Sequence, residues 1–162
     1  MLPENLLNKF GSLVNKYPVK RSALVPILLI TQEELGYLTA ESIRFIADYL
    51  GIPEIEVQEV ITFYSMLRTT PVGKHHIQVC TNISCMLTGG EEIFRRFSEK
   101  LGIKEGETTH DRQYSLTEVE CLGACANAPA IQINYQYHED LTLEKVDRIL
   151  EDLEKGFKTD KK

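Results

Sequence analysis

The sequence predicts an α+β protein in two parts. A small helical bundle is expected over residues 1–70, an α/β layer over residues 71–157 and a short flexible tail over 158–162. Three observations lead there. Four apolar stripes at helical spacing follow one another across residues 3–64. The stretch S-M-L-R-T-T-P-V-G-K at 65–74 then changes character, with Pro71 and Gly73 marking a boundary. Beyond it the patterns run strand, helix, strand, strand, helix.

The first helix is expected over residues 3–17. Leu6, Phe10, Leu13, Val14 and Tyr17 share one face, and Pro18 ends it. The second starts at Ser22 or Ala23, carries Leu24, Ile27, Leu28 and Leu35, and stops at Gly36. Pro26 is tolerable only in its first turn. Thr39 is the expected N-cap of the third helix, with Ile43, Ile46, Ala47 and Leu50 inward and Gly51 just past its end. Pro53 is expected at the first position of the fourth. Glu54 and Glu56 fall in its first turn, where the helix dipole favours acids, and Val57, Val60, Ile61 and Tyr64 form its stripe. Four short amphipathic helices with brief connections make a bundle.

Residues 75–80, H-H-I-Q-V-C, alternate like a strand. Residues 91–101 form a helix with Ile93, Phe94, Phe97 and Leu101 inward, closed by Gly102. A polar loop spans 103–113. A second strand is expected at 114–120 and a third at 130–135, with Ile131, Ile133 and Tyr135 on one face. Residues 135–137 add a short fourth strand after a turn. Thr142 caps a last helix with Val146, Ile149, Leu150 and Leu153 on its inner side. Gly156 is expected to stop it and leave a frayed tail. A thioredoxin-like arrangement is one solution for this order.

The chain of 162 residues has room for one ordinary domain or two small ones, and its hydrophobic fraction of 43% is that of a globular protein. No apolar run reaches spanning length; the longest, at 23–30, is interrupted by Pro26. The start, M-L-P-E-N-L-L, has neither the pattern of a secretory signal nor the arginines of a transit peptide. A reducing bacterial or archaeal cytoplasm is the expected compartment, or the chain is an already processed form. There, four cysteines suggest metal or redox work more than disulfides. A net charge of −6 with no basic cluster argues against a nucleic-acid partner. No G-x-G-x-x-G, P-loop or H-E-x-x-H occurs, and Gly89-Gly90 is too little for a phosphate site.

All four cysteines lie in two close pairs, C-T-N-I-S-C at 80–85 and C-L-G-A-C at 121–125. Four thiolates bind zinc or an iron–sulfur cluster. Structural zinc favours C-x2-C knuckles, whereas the gaps here are four and three, which suits two irons each needing a pair. Cys80 and Cys121 both follow a strand. If those strands are neighbours, the four sulfurs converge at one sheet edge. A [2Fe–2S] core with four thiolates is formally dianionic when oxidised and trianionic when reduced. Neither cysteine loop carries Lys or Arg, so backbone N–H groups must meet that charge. Small residues Thr81, Asn82, Ser84, Gly123, Ala124 and Ala126 leave the backbone open for this, though they would equally suit zinc. Pro129 sets the chain direction after the loop. Buried unliganded cysteines and a thiol-redox site are rival readings, but neither gap is the C-x-x-C of thiol exchange. His75 and His76 point to opposite faces of a strand and are poor co-ligands. His110 and His138 are expected in loops.

The segments V-Q-E-V-I-T-F-Y at 57–64, P-V-G-K-H-H-I-Q-V-C-T-N-I-S-C at 71–85 and S-L-T-E-V-E-C-L-G-A-C-A-N-A-P at 115–129 resemble the 24-kDa-type, or E, subunits of respiratory complex I. The resemblance covers almost the whole chain. It implies a thioredoxin-like domain in which Cys80, Cys85, Cys121 and Cys125 ligate one [2Fe–2S] cluster. It also implies a partner flavoprotein that binds NADH and FMN, further iron–sulfur subunits of a peripheral arm, and a place at the inner face of the membrane without insertion into it. Related subunits serve NAD-linked hydrogenases and formate dehydrogenases. A zinc-stabilised interaction module and a thiol oxidoreductase are the rivals from other classes.

Overall fold

A computed structural model describes residues 2–159, which fall into two compact units, Met1–Pro71 and Val72–Lys162. The first holds four helices: α1 Glu4–Val14, α2 Leu24–Leu35, α3 Ala40–Leu50 and α4 Glu54–Phe63. Leu6, Phe10, Ile27, Leu28, Ile46 and Val57 are completely buried among them. Thr39 caps α3 as expected, accepting from the Ser42 N–H at 3.1 Å, and Gly51 ends it in the left-handed region.

Several helix ends differ from expectation. α2 starts at Leu24, because Lys20–Ala23 form a tighter 3-10 turn ahead of it. α1 stops at Val14, because Lys16 and Tyr17 donate to Leu13 and Val14 in tighter turns, which puts Tyr17 outside the inner face. Pro53 is the N-cap of α4 and not its first helical residue: its ψ of 142° is extended. The supposed linker also begins inside this unit. Gln32, buried on α2, donates from Nε2 to the Met66 carbonyl at 3.0 Å and accepts the Arg68 N–H at 2.7 Å. The Leu38 N–H donates to the Arg68 carbonyl, and Leu67 is buried. A buried amide with both ends bonded ties residues 66–68 to the bundle.

The second unit holds β1 His75–Cys80, α5 Ile83–Leu87, α6 Gly90–Leu101, β2 Tyr114–Val119, β3 Ile131–Ile133, β4 Gln136–His138 and α7 Leu143–Thr159. The sheet order is β2-β1-β3-β4. β1 and β2 are parallel, with Cys80 opposite Val119; β3 runs antiparallel to β1, and β4 to β3. Ile77, Val79, Leu116, Ile131, Phe97 and Val146 form the core. Alternation places His76, Gln78 and Cys80 on the opposite face of β1 from Ile77 and Val79.

Four details correct the sequence reading. α5 is a helix where the sequence predicts loop: Asn82 caps it by accepting the Ile83 N–H at 2.7 Å. β3 ends at Ile133 because Asn134, at φ 55°, turns the chain, which leaves Tyr135 exposed in the turn. Asn134 Oδ1 accepts the His76 N–H at 2.9 Å, so the turn is anchored to β1. β4 is displaced by one residue and takes His138 out of its expected loop and into the strand. α7 runs through Gly156 to Thr159, so that glycine does not stop it. The end of the expected tail, 160–162, lies outside the described residues.

Candidate metal centre

The parallel pairing of β1 and β2 makes their C-terminal ends neighbours. Cys80 is the last residue of β1, and Cys121 lies two residues beyond the end of β2. Cys85 sits on α5, buried to 2% exposure, and Cys80 is buried beside it at 4%. Ala130, Val119, Leu122, Ala124 and Ala128 surround this pair with apolar surface. Cys121 and Cys125 are exposed on the loop between β2 and β3. All four thiols are free.

Burial pushes the Cys85 thiol up, and hydrogen bonding and charge from Cys80 and the charge of Cys125 act in the same direction; the nearby Ala130 backbone opposes them. Cys80 and Cys125 are thus each within electrostatic reach of Cys85. Cys121 enters through its own contact: the Gly123 N–H donates to its Sγ at 3.3 Å. Among the described residues no three His, Cys, Asp or Glu side chains close on one single-ion position.

This donor set suits an iron–sulfur core. It is all thiol, and a backbone N–H already aims at the Cys121 sulfur, as an anionic cluster requires. Burial disfavours the thiolate at Cys85, and ligation to a metal would stabilise it. The neighbourhood adds no cation in either loop. Instead Thr81 Oγ1 donates to Glu118 at 2.5 Å beside Cys80.

Several supporting residues carry no motif in the sequence. Gly90 opens α6 against the first cysteine pair. A Cβ there would come within 2.8 Å of the Cys80 carbonyl and 2.9 Å of that of Cys85. Gly89-Gly90 is therefore a packing device, and its dipeptide is the only local signal. Tyr137 on β4 donates to the Leu122 carbonyl at 3.1 Å inside the second cysteine loop. Asn127 Nδ2 donates to Glu139 at 3.0 Å, and the Asp140 N–H to the Asn127 carbonyl at 2.8 Å, so the segment after β4 holds the rear of that loop.

The histidines stand apart from the thiols. His76 is buried, with Nε2 3.0 Å from Thr117 Oγ1. His75 lies against the Tyr114 ring, its centroid 5.4 Å away; burial and then Lys74 push its pKa down. Burial does the same to His138.

The profile of the thioredoxin-like [2Fe-2S] ferredoxin family matches residues 10–154. The E-type NADH-quinone oxidoreductase protein of Rickettsia felis (strain ATCC VR-1525 / URRWXCal2) is 45% identical over 155 residues, covering 94% of this chain and 93% of its own. The E-type NADH-quinone oxidoreductase protein numbered 2 in Rhizobium meliloti (strain 1021) is 43% identical over 136 residues, covering 84% and 81%. Among solved structures, an NAD+-reducing [NiFe]-hydrogenase in the air-oxidised state has a TM-score of 0.68 at 19% identity. The match covers 80% of this chain and 23% of that one, a likeness of fold.

Proposed function

This chain belongs to the thioredoxin-like [2Fe-2S] ferredoxin family, and on that premise we propose that it is an electron-transfer subunit of an NADH:quinone oxidoreductase. Cys80, Cys85, Cys121 and Cys125 are the proposed ligands of one [2Fe–2S] cluster. The observation that carries the reading is the thiol-only donor set at the ends of two adjacent parallel strands, with a backbone N–H on the sulfur of Cys121. Such a cluster accepts and gives single electrons.

The chain's own residues hold and tune that group. β1 and α5 supply the buried pair, and the loop after β2 supplies the exposed pair. The apolar lining keeps water from one side, and the exposed sulfurs open the other to a partner. Ile83 and Leu87, 66% and 76% exposed on α5 beside Cys85, suit a protein surface more than water there. The proposed partner is the flavoprotein that binds NADH and FMN, with further iron–sulfur subunits beyond it. Relatives of this name at 43–45% identity over most of the chain support that assembly over an NAD-linked hydrogenase. No described helix is long and apolar enough to cross a membrane. The proposed place is the peripheral arm, at the inner face of the membrane.

The test is anaerobic purification followed by counts of iron, acid-labile sulfide and zinc, and an EPR spectrum after dithionite reduction. Two irons, two sulfides and a spin-half signal per chain are expected. One zinc without iron or signal would replace this reading with a structural zinc module.

A further inference from the structure

We infer that Tyr137 is a positioning residue for the metal centre: its hydroxyl holds the Leu122–Gly123 peptide so that the Gly123 N–H points at Cys121 Sγ. The inference rests on the proposal that Cys121 is a ligand. Both contacts belong to one peptide plane. The Tyr137 O–H donates to the Leu122 carbonyl at 3.1 Å, and the N–H on the other side of that plane donates to Cys121 Sγ at 3.3 Å. In a trans peptide the C=O and N–H point in opposite directions. A grip on the oxygen therefore aims the hydrogen.

The grip is needed because the backbone does not supply it. Gly123 sits at φ 74°, and a Cβ added there would meet nothing within 4 Å. Glycine populates both signs of φ, so this peptide can rotate between turn types at little cost. The rear of the loop has its own main-chain anchors, Asp140 to Asn127 and Leu141 to Pro129. Tyr137 serves the front, and it comes from β4, the edge strand whose role the core does not otherwise explain: its residues are exposed or half-buried.

An N–H donated to a ligand sulfur stabilises the more negative, reduced centre. Losing it disfavours reduction. A neutral hydrogen bond is worth about 1 kcal/mol, so the reduced-to-oxidised ratio at a fixed ambient potential is expected to fall about five-fold.

The experiment compares the full chain, purified without oxygen, in four forms: wild type, Tyr137→Phe, Tyr135→Phe, and Tyr137 replaced by 4-aminophenylalanine. Tyr135 is the half-exposed control in the adjoining turn. The last form restores a donor at the same ring position. Each is followed by an EPR-monitored redox titration and by proton ENDOR before and after exchange into deuterium oxide. Tyr137→Phe is expected to show a lower midpoint potential and to lose one exchangeable-proton coupling. Tyr135→Phe and the aminophenylalanine form are expected to match wild type. A Tyr137→Phe chain with wild-type potential and couplings overturns the inference. Loss of iron from Tyr137→Phe supports it if the aminophenylalanine form keeps its iron, and overturns it if both lose it. A wild-type chain without two irons fails the ligand assignment itself, a result separate from these.

Discussion

Cys85 is proposed as a ligand and not as a core cysteine that happens to be buried. It is 2% exposed and packed with Cys80 and Ala130. Serine in its place offers a hydroxyl whose proton iron displaces poorly. Cys85→Ser is expected to lower iron per chain and to alter the reduced EPR spectrum; wild-type values in both would remove Cys85 from the ligand set. Gly90 is a second residue with one job. A methyl group there would press on the backbone of Cys80 and Cys85 at 2.8–3.0 Å, atoms that move only with the site. Gly90→Ala is expected to cost on the order of 1–3 kcal/mol, read by chemical denaturation, and to reduce iron retention. The cysteines are legible in the sequence because they pair. The closeness of Gly90 is barely so, because its contact with the end of β1 leaves only the Gly89-Gly90 dipeptide as a local trace.

At the scale of elements, α6 and α7 are joined by more than apolar contact. Arg96 reaches Asp147 with two bonds, Nε at 3.0 Å and Nη2 at 2.6 Å, and Lys100 Nζ lies 3.4 Å from the same carboxylate. The Arg96 hydrogen bond, then Lys100, holds the Asp147 carboxyl below the usual carboxylate range. A folded pKa below the unfolded one means the contribution is complete above the unfolded value, and is lost as pH falls through the lowered one. Asp147→Asn is expected to lower the melting temperature near neutrality, with the gap to wild type closing at acid pH. A gap that persisted unchanged to strong acid would assign the effect to packing. The helices themselves are legible, since Ile93, Phe97, Val146 and Leu150 repeat at helical spacing and are buried. α5 is not. Five residues make little more than one turn, and Asn82 capping it gives a signal as weak as any Asx turn.

The whole chain divides labour between its two units. The thiols all lie in Val72–Lys162, which has its own core, while Met1–Pro71 carries a separate core and none of them. We propose that the bundle serves assembly. A chain starting at Thr69 is expected to keep two irons yet bind the flavoprotein partner more weakly; full affinity in a pull-down or titration would contradict this. The sequence by itself determined the elements with long periodic stripes and set out the four cysteines proposed to bear the site, because periodicity and residue type are local properties. Tertiary structure decided which strands are neighbours. Order β2-β1-β3-β4 follows from how strands pair, and that pairing alone brings Cys80 beside the loop of Cys121. It also decided that Gln32 retains residues 66–68, that Gly156 stays helical, and that Tyr137 faces Leu122. Each of these depends on a contact between residues distant in the chain or on the packing of a whole helix, and a single position carries no record of either.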